Sequence, residues 1–102
     1  MSFKALLFVQ EKCEPCHRTL KALQDAYDKS DYIEVTDYKD KVGNKTDLAR
    51  QYGVEVTPTL VVVRPGDSVV NRVQGSQRMP SVFFSKLART LNAVNNGVED
   101  EA

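Results

Sequence analysis

Residues 48–63 read LARQYGVEVTPTLVVV, and they decide the fold. Thr59 to Arg64 (TLVVVR) is dense in β-branched residues and free of polar punctuation, as expected of a strand covered on both faces. Upstream, Thr46 to Tyr52 reads as a short helix with Gly53 at its C-terminal cap. Thr57-Pro58 opens the strand; a proline there is either an ordinary strand entry or a cis turn, and local pattern alone leaves both open. Downstream, Pro65-Gly66-Asp67 is a turn, and Ser68 to Gln74 is the strand returning from it.

Toward the N-terminus, Ala5 to Gln10 (ALLFVQ) is a second unpunctuated apolar run between Lys4 and Glu11, again a buried strand. Cys16, Leu20, Leu23 and Tyr27 recur at helical spacing and predict a helix to about Asp28, with Pro15 in its first turn. Tyr32 to Asp37 alternates as a strand, and Lys39 to Lys45, with Gly43-Asn44, is a loop. After a loop from Gly75 to Arg78, a helix is predicted from about Pro80 with Phe83, Leu87, Leu91 and Val94 on its inner face. The order is β-α-β-α-β-β-α. It predicts an α/β domain, a four-stranded mixed sheet flanked by helices, opening with a right-handed βαβ unit. The apolar first and third strands belong in the middle of the sheet, the second and fourth at its edges. Residues 1–94 form the expected domain, and 95–102 an acidic, disordered tail.

The 102 residues suffice for one domain and leave no room for a second. Fourteen basic residues balance fourteen acidic ones. That balance argues against nucleic-acid or anionic-membrane binding, which needs a concentrated basic patch. No apolar run approaches the ~20 residues of a membrane span. The N-terminus lacks a signal-peptide pattern, so a cytoplasmic monomer is expected.

Cys13 and Cys16 are the only cysteines. Two cysteines placed at random in such a chain fall three apart about 2% of the time, so the spacing points to chemistry rather than chance. They sit where a buried strand passes into a helix. Cys13 then occupies the helix N-terminus, where free N–H groups and the positive dipole end favour a thiolate. Cys16 lies one turn on, within disulfide reach and on the apolar stripe. This arrangement predicts thiol–disulfide exchange. Cys13 attacks a target disulfide, and Cys16 resolves the mixed disulfide by attacking the Cys13 sulfur. Pro15 stiffens the turn between them. By sign alone Glu14 opposes the thiolate, and Lys12 and His17 favour it.

A C-x-x-C at a strand-to-helix junction, followed by "GVEVTPTLVVV", a Pro-Gly-Asp turn and Gly75 in this element order, resembles the thioredoxin family. The likeness runs from about Lys4 to Leu91. It implies the thioredoxin fold in its minimal form and a protein disulfide reductase with Cys13 and Cys16 as the redox-active pair. It implies that Thr57-Pro58 is cis and packs against the cysteines. It further implies that the Thr57 backbone pairs with the substrate chain, and that Gly75 gives it close access. It implies client proteins that carry disulfides and electrons from thioredoxin reductase or glutathione, with no tightly bound cofactor required. Lys12, expected to line the substrate groove, stands where the family usually has tryptophan. Glu14-Pro15 replaces the central Gly-Pro. Leu7 occupies the place of the buried acid that assists the second cysteine. The extra N-terminal strand and helix of full-length thioredoxins are absent, as in short phage-encoded thioredoxins. These departures bear on rate and reductase recognition, not on exchange chemistry itself.

Rival readings are weaker. Cys13-Glu14-Pro15-Cys16-His17 matches a c-type haem attachment site with His17 and Met79 as axial ligands, but such a protein should be mostly helical. Zinc needs four ligands, and the soft ones here crowd one turn. A glutaredoxin would usually show an aromatic between the cysteines and a glycine pair at Gly75. A non-catalytic binding subunit of this fold would have no need of both cysteines.

Overall fold

A computed structural model describes residues 2–101, with side chains up to Gly97. Its elements are β1 (Lys4–Val9), α1 (Glu14–Asp25), β2 (Ile33–Asp37), α2 (Asp47–Gln51), β3 (Thr59–Val63), β4 (Val69–Gln74) and α3 (Ser81–Glu101). A 3-10 turn at Ser76–Arg78 precedes α3. The sheet order is β2-β1-β3-β4, so the two apolar strands are central and the two polar ones are edges. β1 pairs parallel with β2 and antiparallel with β3, and β4 returns antiparallel to β3.

Alternation along β1 divides the core in two. Ala5, Leu7 and Val9 face a cluster with Cys16, Leu60, Met79, Phe84 and Leu91, against α1 and α3. Leu6 and Phe8 face the other side, with Ala49 of α2, Tyr52, Val54, Val61 and Val63. Two helices therefore cover one face of the sheet and one covers the other. Among the described residues no helix is long and apolar enough to cross a membrane.

α2 is short because both ends are capped. Thr46 Oγ1 accepts the Ala49 N–H at 3.3 Å. Gly53 then turns left-handed at φ 63°, and the Val54 N–H donates back to the Ala49 carbonyl at 2.9 Å. This is how the chain reaches the Thr57-Pro58 segment within a few residues of a helix.

Two expectations are corrected. Tyr27 does not join the inner face of α1: the helix stops at Asp25, Ala26 is extended at ψ 139°, and Tyr27 is 93% exposed. Thr19 and Ala26 are buried instead, and the Tyr27 N–H donates to the buried Ser85 Oγ of α3 at 2.7 Å. On α3 the most buried line is Phe84, Ala88, Leu91 and Asn95, with Phe83 and Leu87 at its flank and Val94 exposed. The line is turned by one residue because Asn95, though polar, is satisfied. Its side-chain amide donates to the Phe3 carbonyl at 2.9 Å and accepts the Phe3 N–H at 2.8 Å. α3 runs on past Val94, and through Asn95 it ties down the start of β1. The rest of the expected tail, from Val98 on, lies outside the described side chains.

Candidate active site

β1 ends at Val9 and the chain turns sharply into α1, with Lys12 left-handed at φ 58°. Cys13 is the N-cap of α1, and its sulfur accepts the Cys16 N–H at 3.2 Å. Pro15 fills the first turn, where no N–H is needed. The helix N-terminus thus aims a donor at the Cys13 sulfur, as the sequence predicts. The cysteines are disulfide-bonded with Cα atoms 5.2 Å apart. Cys13 is half-buried, while Cys16 is 1% exposed in the cluster of Leu7, Met79 and Phe84. One sulfur is reachable and the other is covered.

The Thr57-Pro58 bond is cis, and the segment packs against Cys13. Thr57 Oγ1 lies 3.5 Å from the Cys13 sulfur, and the Thr57 carbonyl oxygen 3.9 Å. In the disulfide the sulfur carries no proton, so a hydrogen bond on the shorter contact runs from the threonine hydroxyl. Pro58 is fully buried, and its carbonyl accepts the Gly75 N–H at 3.0 Å. Gly75 has φ 94°. A side chain there would meet only Gln77 Oε1, at 3.6 Å, so backbone conformation rather than space reserves the position for glycine. Its N–H is committed to Pro58 and so helps to hold the proline against the cysteines.

The remaining sequence candidates lie around this centre. Lys12 and Glu14 are exposed, and Glu14 forms a surface pair with Arg18 at 3.8 Å. Leu7 is completely buried in the cluster that holds Cys16, so the place of the family's buried acid is filled by hydrocarbon. His17 is exposed and Met79 is completely buried, which splits the two haem ligands between solvent and core. One residue of the centre is missed by sequence reasoning. Gln10 Nε2 donates to Thr57 Oγ1 at 2.8 Å, across a separation of 47 residues. The only trace of it in sequence is a polar residue closing an apolar run. Beside it a polar groove of about 710 Å³ opens toward Glu11, Asp37, Lys39 and Lys41, a lining of both charge signs.

Solved structures of thioredoxins resemble this chain. The thioredoxin of Aeropyrum pernix is 23% identical, with TM-score 0.65 over 87% of this chain and 74% of that one. Thioredoxin-2 of the malaria parasite, described as a component of its protein secretion machinery, is 21% identical, with TM-score 0.62 over 87% and 82%. A disulphide isomerase of Xylella fastidiosa is 17% identical, with TM-score 0.62 over 89% and 79%. At these identities the likeness is one of fold. No curated protein sequence matches the chain. The family model of the thioredoxin-like domain matches residues 2–91, which take in both cysteines, Thr57-Pro58 and Gly75. The chain belongs to the thioredoxin-like family.

Proposed function

We propose that this protein reduces disulfides in client proteins by dithiol exchange. The observation that carries the reading is the asymmetry of the pair. A half-exposed Cys13 caps α1 beside Thr57, and a buried Cys16 lies within disulfide reach behind it. In the reduced protein the Cys13 thiolate attacks one sulfur of a client disulfide and expels the other as a thiolate. Cys16 gives up its proton and attacks the Cys13 sulfur. That step breaks the mixed disulfide, releases the second client thiolate and leaves the Cys13–Cys16 bond. Two electrons pass from protein to client, and the two client thiolates take up protons.

Thr57, Lys12 and Gly75 form the surface on which the client segment lies, the buried Pro58 shapes it from beneath, and Glu14 and Pro15 tune the pair. The protein works as a cytoplasmic monomer, where the reducing environment keeps a dithiol open to turnover. Thioredoxin reductase or glutathione restores it.

The test is insulin-disulfide reduction with NADPH and a thioredoxin reductase, beside a parallel reaction driven by glutathione and glutathione reductase. Turnover that disappears in Cys13→Ser supports the reading, and the active donor identifies the electron source. A folded protein silent in both reactions would overturn it.

A further inference from the structure

The Gln10–Thr57–Cys13 chain of contacts has a direction. The Gln10 side-chain nitrogen carries only donors, and it donates to Thr57 Oγ1 at 2.8 Å. That bond occupies a lone pair of the hydroxyl and leaves its proton free. The nearest sulfur is Cys13, at 3.5 Å from the same oxygen. A threonine hydroxyl otherwise rotates to suit its surroundings, accepting in one orientation and donating in another. With an amide donor on one side and, on the other, a sulfur that carries no proton in the disulfide or the thiolate, its role toward that sulfur is donation.

We propose that Gln10 is a positioning residue that fixes the Thr57 hydroxyl as a hydrogen-bond donor to the Cys13 sulfur. The inference rests on Cys13 being the attacking thiol. A donor held against that sulfur favours its thiolate over its thiol. The effect adds to the Cys16 N–H, which reaches the same sulfur from the helix N-terminus at 3.2 Å. It enters the cycle twice. It raises the fraction of Cys13 ready to attack a client, and it stabilises Cys13 as the thiolate displaced during regeneration, when a second donor thiol attacks the donor sulfur of the mixed disulfide formed on Cys13. Gln10 hydrogen-bonds to Thr57 rather than to either cysteine and acts through it. It lies just after β1, and Thr57 lies just before β3, so two adjacent central strands hold the relay.

The test is the pH dependence of Cys13 alkylation by iodoacetamide in the fully reduced chain, read by mass spectrometry. It compares the parent protein with Gln10→Ala, Gln10→Glu, Thr57→Val and the double variant Gln10→Ala/Thr57→Val. Losing one hydrogen bond to an ionised group moves such a midpoint by about one pH unit. Thr57→Val is therefore expected to raise the alkylation midpoint by about one unit. Gln10→Ala, which only frees the hydroxyl to rotate, is expected to raise it by about half a unit, roughly threefold slower alkylation below the midpoint. Gln10→Glu is expected to exceed Gln10→Ala, because a carboxylate takes the threonine proton for itself. The double variant should match Thr57→Val alone.

An unchanged midpoint in Gln10→Ala overturns the proposal. So does an equal Gln10 effect with valine at position 57, which would mean that Gln10 acts by another route. A purely structural role would lower the thermal midpoint of unfolding without moving the alkylation midpoint. The insulin assay on the parent protein separates the two readings. Midpoints that move as expected without insulin turnover leave the relay standing and remove the reductase. Turnover with unmoved midpoints does the reverse.

Discussion

Asn95 offers a direct measure of how far the domain extends along α3. It is 3% exposed, and its amide exchanges two hydrogen bonds with the Phe3 backbone, at 2.8 and 2.9 Å. Asn95→Ala removes both and leaves the Phe3 N–H and C=O unpaired. Each intramolecular hydrogen bond contributes about 1 kcal/mol net, and an orphaned buried group costs about 1–3 kcal/mol. Phe3 is only half-buried, so water partly replaces the lost partners and the expected loss is about 2 kcal/mol. A chain of 102 residues has an unfolding entropy of about 0.2 kcal/mol/K, so the thermal midpoint should fall by about 9 °C. The assay is thermal unfolding followed by circular dichroism on the reduced and the oxidised protein. Asn95→Leu is the companion variant, since it supplies the apolar surface that a simple stripe would want while still orphaning Phe3. A loss of less than about 2 °C in Asn95→Ala, or a gain in Asn95→Leu, would refute the view that this amide ties α3 to the start of β1.

Other outcomes follow from the same geometry. In the reduced protein Cys13 should alkylate at least about tenfold faster than Cys16, because one caps a helix at the surface and the other must wait for local opening; equal rates would remove the asymmetry on which the exchange mechanism stands. Thr19 Oγ1 is buried with no hydrogen-bond partner among the described residues, so Thr19→Val should leave stability unchanged or raise it by up to about 1 kcal/mol, and a lowered thermal midpoint would show that the hydroxyl has a partner. Burial, and then the neighbouring Asp67 carboxylate, raise the Tyr52 phenol above its ordinary value of 10.0. The folded state thus keeps a proton that the unfolded chain loses above about pH 10, and stability should fall as pH rises through that window. Tyr52→Phe should flatten this alkaline decline in a series of thermal midpoints, and an unchanged slope would reject the assignment.

Much of the architecture is legible in the sequence because burial on both faces writes itself into composition. ALLFVQ and TLVVVR are apolar without interruption, and they are the two central strands. The Pro65-Gly66-Asp67 turn is equally plain, with Gly66 at φ 94° and Asp67 at φ 70°. The redox pair is legible because its chemistry depends on a local spacing and on the helix that starts there. Helix faces are less so. Phe83, Leu87, Leu91 and Val94 are the more apolar line on α3, yet the helix settles one residue round, because Asn95 finds partners on Phe3 and Ser85 finds the main chain at Tyr27 and Asp28. A polar residue in an inner position looks like an error until its partner, more than fifty residues away, is known.

By itself, then, the sequence determined the element order, the sheet's centre and the position of Cys13 and Cys16 at a helix N-terminus. All of these depend on hydrophobic period, turn chemistry and neighbours within one or two turns. Resemblance alone placed Thr57-Pro58 beside the cysteines, and only the tertiary structure decided that the Thr57 hydroxyl and, behind it, Gln10 stand against the Cys13 sulfur. Thr57 is 44 residues from Cys13, and Gln10 is 47 from Thr57. These side chains meet because pairing of β1 with β3 brings the end of one strand beside the entry of the other. Hydrogen bonds act over about 3 Å and leave no periodicity in the chain that makes them, so this part of the site exists only once the sheet has formed.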